Sequence, residues 1–318
     1  MKRIILILLG VVALMSEGKA QQDALYSQYM FNPFAINPAY AGSRSSMSGI
    51  LLARKQWAGI DGAPTTGSFA LHSPFKGKNF ALGFNAVMDK IGPASNSGAL
   101  VTYAYHLKMG PGKLSLGLRG GIYSTRLDNS LLVFSDGSDS KNTGEVYQKT
   151  VPTFDFGGYY YTNKFYVGVS ANHLLASGTY NIDSTTSVLN GGNGGGSQLF
   201  NTYDRHLSLA TGLAIVVNPD VVLKPSLLVK YVHGAPINVD INFSVLLNKV
   251  FWLGASVRSS KAIVGILEYN ITDFVRVGYS YDFSFGAIRS YTTGSHELFL
   301  GFDVSVAKKK NAYTTRFL

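Results

Sequence analysis

Asn238-Val-Asp-Ile-Asn-Phe-Ser-Val245 sets Val239, Ile241, Phe243 and Val245 on one side of an extended chain and Asn238, Asp240, Asn242 and Ser244 on the other. Side chains alternate across a strand, so this stretch has one apolar face and one polar face. The same period recurs on either side of it. In Lys113–Arg119, Leu114, Leu116 and Leu118 oppose Ser115, Gly117 and Arg119; in Val275–Phe283 the polar face carries Arg276, Gly278, Ser280 and Asp282. A soluble sandwich alternates too, so the period alone does not choose the solvent. Composition does. Charged residues make up 14% of the chain, against roughly 25% in soluble domains, and apolar residues 46%. Beyond residue 20 no run of about 18 apolar residues exists to form a membrane helix. A chain of this kind crosses a bilayer only as strands closed into a barrel, because lipid satisfies no backbone hydrogen bond. Gly at 35 residues, Tyr at 19 and Phe at 19 fit walls that bend at glycine and meet the headgroups with aromatic rings.

Alternating segments from Gly49–Trp57 to His296–Ser305 number about 14, and single-chain bacterial barrels favour even counts. The expected fold is all-β, a transmembrane antiparallel barrel, with both ends of the strand array on the periplasmic side. Met109–Gly112 and Asn218–Asp220 read as tight periplasmic turns. Asp128–Lys149 and Ser177–Tyr203 are too long for turns and read as extracellular loops.

Four regions follow along the chain. Residues 1–20 have the form of a secretory leader: Lys2 and Arg3, an apolar stretch from Ile4 to Leu14, then Gly18-Lys19-Ala20 as a cleavage site. Residues 21–45 form an irregular N-terminal segment, residues 46–306 the barrel, and residues 307–318 a basic tail with Lys308, Lys309, Lys310 and Arg316. The formal net charge is +10, and loss of Lys2, Arg3, Lys19 and Glu17 with the leader takes it to +8. The tail reads equally as a solubilising end touching anionic lipid or as a periplasmic contact for an acidic partner.

The irregular segment holds the pairs Asn32-Pro33 and Asn37-Pro38, and the residue before proline is pushed out of helical conformation. Its rings, Tyr26, Tyr29, Phe31, Phe34 and Tyr40, nevertheless require burial, so it must dock on something already folded. Two roles are open: a plug in the lumen, or a periplasmic docking surface for partners. Asn32, Pro33, Asn37, Pro38 and Tyr40 are the candidate residues, with Trp57 and Gly59 at the end of the first strand as possible supports for the same surface. A second candidate set is a polar network inside the barrel. Arg119, Lys230 and Arg276 share the inward face with Asp155, Asp240, Glu268 and Asp282, and opposite charges confined together tend to pair and block a passage.

No pattern points to catalysis, a metal or a cofactor. Cysteine is absent, which removes disulfide frameworks, thiol chemistry and Cys-based metal sites. Gly191–Ser197 is glycine-rich but lacks the Lys-Ser or Lys-Thr of a phosphate loop, and Ser135–Asn142 lacks EF-hand spacing. The six His residues form no His-x-x-x-His pair. His206 and Ser208 share a strand face, an arrangement that polar lumens produce without catalysis. Neither does any segment suggest nucleic-acid binding.

Tyr26–Ser43, with its two Asn-Pro pairs, and Arg54-Lys-Gln-Trp-Ala-Gly-Ile-Asp-Gly-Ala-Pro-Thr-Thr66 together resemble the start of the PorP/SprF family of type IX secretion and gliding motility. Asp155–His173, Pro225–Lys230, Phe251–Ser256, Gly278–Phe283 and Gly294–Gly301 resemble its later parts, so the likeness spans nearly the whole chain up to the tail. The resemblance implies an outer-membrane barrel among outer-membrane lipids. It also implies a non-enzymatic role: anchoring periplasmic ring components or lipoproteins, or helping export and surface attachment of a large secreted adhesin. It brings no catalytic residues with it. A transporter or channel for small hydrophobic solutes is the alternative that the strand pattern leaves open.

Overall fold

Alternation decides where each strand side chain goes, and fourteen antiparallel strands close so that the polar faces turn inward. The computed structural model describes residues 24–132, 144–175, 179–180, 200–201 and 204–306. Its wall strands are β1 (Ser46–Lys55), β2 (Thr65–Pro74), β3 (Phe80–Ile91), β4 (Ala94–Met109), β5 (Gly112–Asp128), β6 (Val146–Tyr161), β7 (Phe165–Asn172), β8 (His206–Leu213, continued by Ile215–Asn218), β9 (Val221–Val232), β10 (Asn238–Leu247), β11 (Phe251–Arg258), β12 (Ala262–Asn270), β13 (Val275–Ser284) and β14 (Ser295–Ser305). Neighbours in sequence pair throughout, with Ser170 opposite Ser208 between β7 and β8. The cylinder closes where β1 meets β14, Ser46 opposite Ser305 and Lys55 opposite His296. A separate small ladder joins Thr179–Tyr180 to Phe200–Asn201. Residues 1–20, expected to form a leader, Ser135–Asn142, Gly191–Ser197 and the basic residues 307–318 lie outside the described residues.

The two rims differ. One carries the short links Gly110-Pro111, Thr162–Lys164, Pro219-Asp220 and Asn248–Val250; the other carries 56–64, 129–145 and 173–205. Short turns mark the periplasmic rim of such barrels. The first long connection is shorter than expected, because Val146–Lys149 join β6, with Tyr147 opposite Leu127 and Lys149 opposite Thr125. On the periplasmic rim, rings stack between neighbouring strands: Phe75 on Phe80 at 4.9 Å, Phe80 on Tyr103 at 5.9 Å, and Phe251 on Tyr269 at 4.9 Å. This is the aromatic girdle that membrane–water interfaces select.

The chain upstream of β1 turns into the barrel. Pro33–Ile36 form one helical turn, α1, and Pro38–Tyr40 a 3₁₀ turn, each with proline at its first position, where the missing N–H is harmless. Asn37 joins them, its side-chain oxygen accepting from the Ala39 N–H at 2.9 Å. Tyr29, Met30, Phe34, Ala39 and Tyr40 are buried against the inner wall. Two wall glycines make the approach possible. A Cβ at Gly83 would strike the Phe34 ring, and one at Gly117 would strike the Ala39 backbone.

The β10 register of the opening sequence is met in full: Ile241 is 60% and Phe243 51% exposed on the outer face, against 2% for Asp240 and 1% for Asn242. Ile241→Arg should therefore impair assembly by about 2–4 kcal/mol relative to Ile241→Leu, where the site lies near the bilayer midplane. The folded fraction after refolding into lipid, scored by heat-modifiable migration, measures this, and equal yields would contradict the register.

Candidate functional site

Backbone broken at two prolines leaves N–H and C=O groups without partners in its own segment, and buried groups of this kind must be satisfied from outside. The wall supplies them. Lys224 Nζ donates to the Met30 carbonyl at 3.0 Å, and its charge sits near the Phe31 and Trp252 rings. Arg119 donates to the carbonyls of Phe34 and Ala35 at 3.2 and 3.3 Å. Ser170 Oγ and Asn172 Nδ2 both donate to the Ile36 carbonyl at 3.2 Å. In return the Asn37 amide donates to the carbonyls of Gly158 and Val169 at 3.1 Å, and His106 Nε2 lies 3.0 Å from the Ala41 carbonyl.

Among the described residues, three clusters of charge inside the barrel touch the segment. In the first, Arg54 pairs with Asp282 at 2.7 Å and Glu297 at 3.2 Å, while Arg258 pairs with Asp240 at 3.0 Å and Asp282 at 3.3 Å. Ser27 completes it: its hydroxyl donates to Asp282 at 2.7 Å and accepts from Arg54 at 2.7 Å, and the Ser27 and Gln28 N–H groups each donate to Glu297 at 2.8 Å. In the second, Arg119 and Asp155 meet at 2.7 Å, and Asp155 also accepts from the His173 N–H at 2.8 Å. In the third, Arg44 grips both oxygens of Asp303 at 3.1 Å and donates to the Tyr40 hydroxyl at 3.0 Å. Ser48 also donates to Asp303. Arg276 lies 3.4 Å from Asp303 and 3.6 Å from Glu268. Burial alone would lower the proton affinity of Arg44, but Tyr40 and Asp303 outweigh it and raise it.

The seven sequence-derived network residues all lie on the inner face, and six of them enter these clusters. The seventh, Lys230, lines a small cavity of about 70 Å³ with Arg119, Asp89, His173 and His206. His206 hydrogen-bonds the Asp204 carbonyl at 2.8 Å and packs edge-on against His173, with ring centres 5.5 Å apart. Arg54, Arg258, Glu297, Arg44, Asp303 and Lys224 were not anticipated. The strand parity that singles out Asp240 also turns Arg54, Glu297, Arg258 and Lys224 inward, so the signal was present. Arg44 precedes β1 and carries no such signal.

The docking candidates need correction. Asn32, Pro33, Asn37, Pro38 and Tyr40 are buried inside the barrel and offer no periplasmic surface. The segment runs from the first cluster, beside the outer ends of β1 and β14, down to Arg44 at the periplasmic rim. Trp57 and Gly59 are at the other rim: the Trp57 N–H donates to Ser295 Oγ at 3.0 Å and the Ala58 N–H to the Gly294 carbonyl at 2.8 Å. Ten residues of β1 separate them from Tyr40, so sequence proximity misled.

The family model described as "Type IX secretion system membrane protein PorP/SprF" matches residues 18–302. No curated protein matches the chain. Among solved structures, the CymD monoaromatic hydrocarbon channel aligns with a TM-score of 0.50 at 13% identity, covering 92% of this chain and 96% of that one. Omp33 of Acinetobacter baumannii aligns at 0.46 and 11%, covering 81% and 98%, and a Pseudomonas aeruginosa FadL homologue at 0.44 and 11%, covering 82% and 89%. At such identity the likeness to CymD speaks to the fold alone, an outer-membrane barrel.

Removing one partner from a buried, hydrogen-bonded pair costs about 3–5 kcal/mol, whereas exposed pairs contribute about 0–1 kcal/mol. Glu297→Ala should therefore lower the urea midpoint of the refolded barrel far more than Asp128→Ala, whose partner Arg126 is 51% exposed. Equal midpoints would contradict the network's structural weight.

Proposed function

Since the chain belongs to the PorP/SprF family of type IX secretion system membrane proteins and lies in the outer membrane, we propose that it acts as a closed, non-enzymatic scaffold. On this reading it anchors periplasmic components of the machinery or helps export and attach a partner adhesin, and its lumen is not the route taken by cargo. The observation that carries the reading is the N-terminal segment, seated along the lumen by hydrogen bonds at Ser27, Gln28, Met30, Phe34, Ala35, Ile36, Asn37 and Ala41. A segment so held plugs the passage. That leaves the outer wall and the two rims as the surfaces for partners.

A channel for small hydrophobic solutes would need a continuous path beside this segment. Cavities flanking it among the described residues hold about 70, 10 and 40 Å³, which favours the scaffold. Photo-crosslinkers placed at Gly110 on the periplasmic rim and at Ser259 on the outer rim, followed by mass spectrometry of intact envelopes, test the role. Capture of machinery components or adhesin supports it; an empty crosslinking profile at both rims contradicts it.

In planar bilayers the intact chain should carry little steady ion current. Gly117→Val should raise it by displacing Ala39 from the wall, and deletion of residues 24–41 should open the barrel or destabilise it. A large stable current from the intact chain would favour the channel.

A further inference from the structure

The periplasmic mouth carries a cluster of charge that the ion-pair network does not use. Beside the entry of the N-terminal segment lies a cleft of about 460 Å³, whose walls include Arg44, Pro74, Lys108, Lys113, Tyr161 and Asn163. No Asp or Glu is among the described residues that line it. Arg44 is committed to Asp303 and Tyr40, so it contributes positive field rather than an available bond. Lys108 and Lys113 are exposed and stand directly opposite each other on β4 and β5. Two like charges in that arrangement repel, and an anion held between them relieves the repulsion. Alternation from buried His106 and Ser115 turns both toward the lumen side of the wall.

The neighbouring turns extend the charge. Lys76 and Lys78 are exposed on the turn between β2 and β3, which the His106 N–H ties to β4 through the Asn79 carbonyl at 2.7 Å. Lys164 is exposed beside Asn163 on the turn between β6 and β7. Three successive periplasmic turns thus present lysines, and no acidic residue occurs in 73–80, 105–116 or 159–168. Asp220 lies on the next periplasmic turn, between β8 and β9, and Asp273 farther round, between β12 and β13.

We infer that this vestibule receives an acidic peptide segment of a periplasmic protein. Lys108 and Lys113 grip its carboxylates, and Lys76, Lys78 and Lys164 steer it in. The stacked rings of Phe75, Phe80 and Tyr103 occupy the lipid-facing side of the same rim. A ligand between Lys108 and Lys113 therefore reaches them from the periplasm and not from the leaflet. The inference rests on the scaffold reading and gives that scaffold a specific site of attachment.

The test uses the full-length protein in phosphatidylcholine nanodiscs with a fluorescent oligo-glutamate peptide as probe, read by anisotropy. The peptide should bind the wild type more weakly as salt rises. K108E/K113E should lose at least roughly tenfold in affinity while keeping heat-modifiable migration, and K108R/K113R should retain binding. Absence of wild-type binding at low salt, or equal binding by K108E/K113E, overturns the inference. Native mass spectrometry in phosphatidylglycerol nanodiscs covers the lipid source: loss of bound phosphatidylglycerol in K108E/K113E with peptide binding unchanged also overturns it. Copurification from envelopes separates the two readings. Machinery captured by the wild type without peptide binding removes the vestibule and leaves the scaffold standing, whereas no machinery captured at all counts against the scaffold.

Discussion

A backbone interrupted at Pro33 and Pro38 satisfies only part of its own hydrogen bonds, and the rest of the structure depends on where the others go. Burying an unpaired peptide group costs more than most single contacts return. The segment is stable inside the barrel only because wall side chains stand opposite its free groups: Lys224 at Met30, Arg119 at Phe34 and Ala35, Ser170 and Asn172 at Ile36, and Glu297 at Ser27 and Gln28. The wall in turn leaves space at Gly83 and Gly117, where any side chain would collide with the segment. Segment and wall are thus one packing problem, in which each makes the other's polar groups affordable to bury.

The buried charges follow the same logic. A carboxylate drawn from water is tolerated when it is paired and its remaining lone pairs are filled. Glu297 receives Arg54 and two backbone N–H groups, and Asp282 receives Arg54, Arg258 and the Ser27 hydroxyl. Because part of each shell comes from the N-terminal segment, withdrawing that segment would leave both carboxylates undersatisfied. The network holds the segment as much as the segment completes the network. On the scaffold reading, a lumen filled in this way leaves the outer wall and the rims for partners.

Much of this was legible in the sequence. The strands, their inward and outward faces and the burial of Asp155, Asp240, Glu268 and Asp282 follow from a period of two in a chain poor in charge. The direction of the N-terminal segment was not legible. Asn-Pro pairs and aromatic rings announce burial but not where, since an irregular segment has no register to read. Closeness in sequence groups Trp57 and Gly59 with Tyr40, although a strand carries them to the opposite rim. Arg54 and Glu297 could have been found by extending alternation to every strand, but their pairing depends on β1 meeting β14, a closure known only from the folded barrel. In the sequence Gly117 is simply a member of a polar face. Its use, admitting the Ala39 backbone, is a fact of the assembled lumen.

The central claim is that residues 27–42 are part of the folded interior. Hydrogen–deuterium exchange of the native protein in lipid measures it directly. If the Ser27 and Gln28 amides are held by Glu297 as described, they exchange as slowly as the amides of β14. Exchange at the rate of unprotected peptide across 27–42, with β14 protected, would contradict the account.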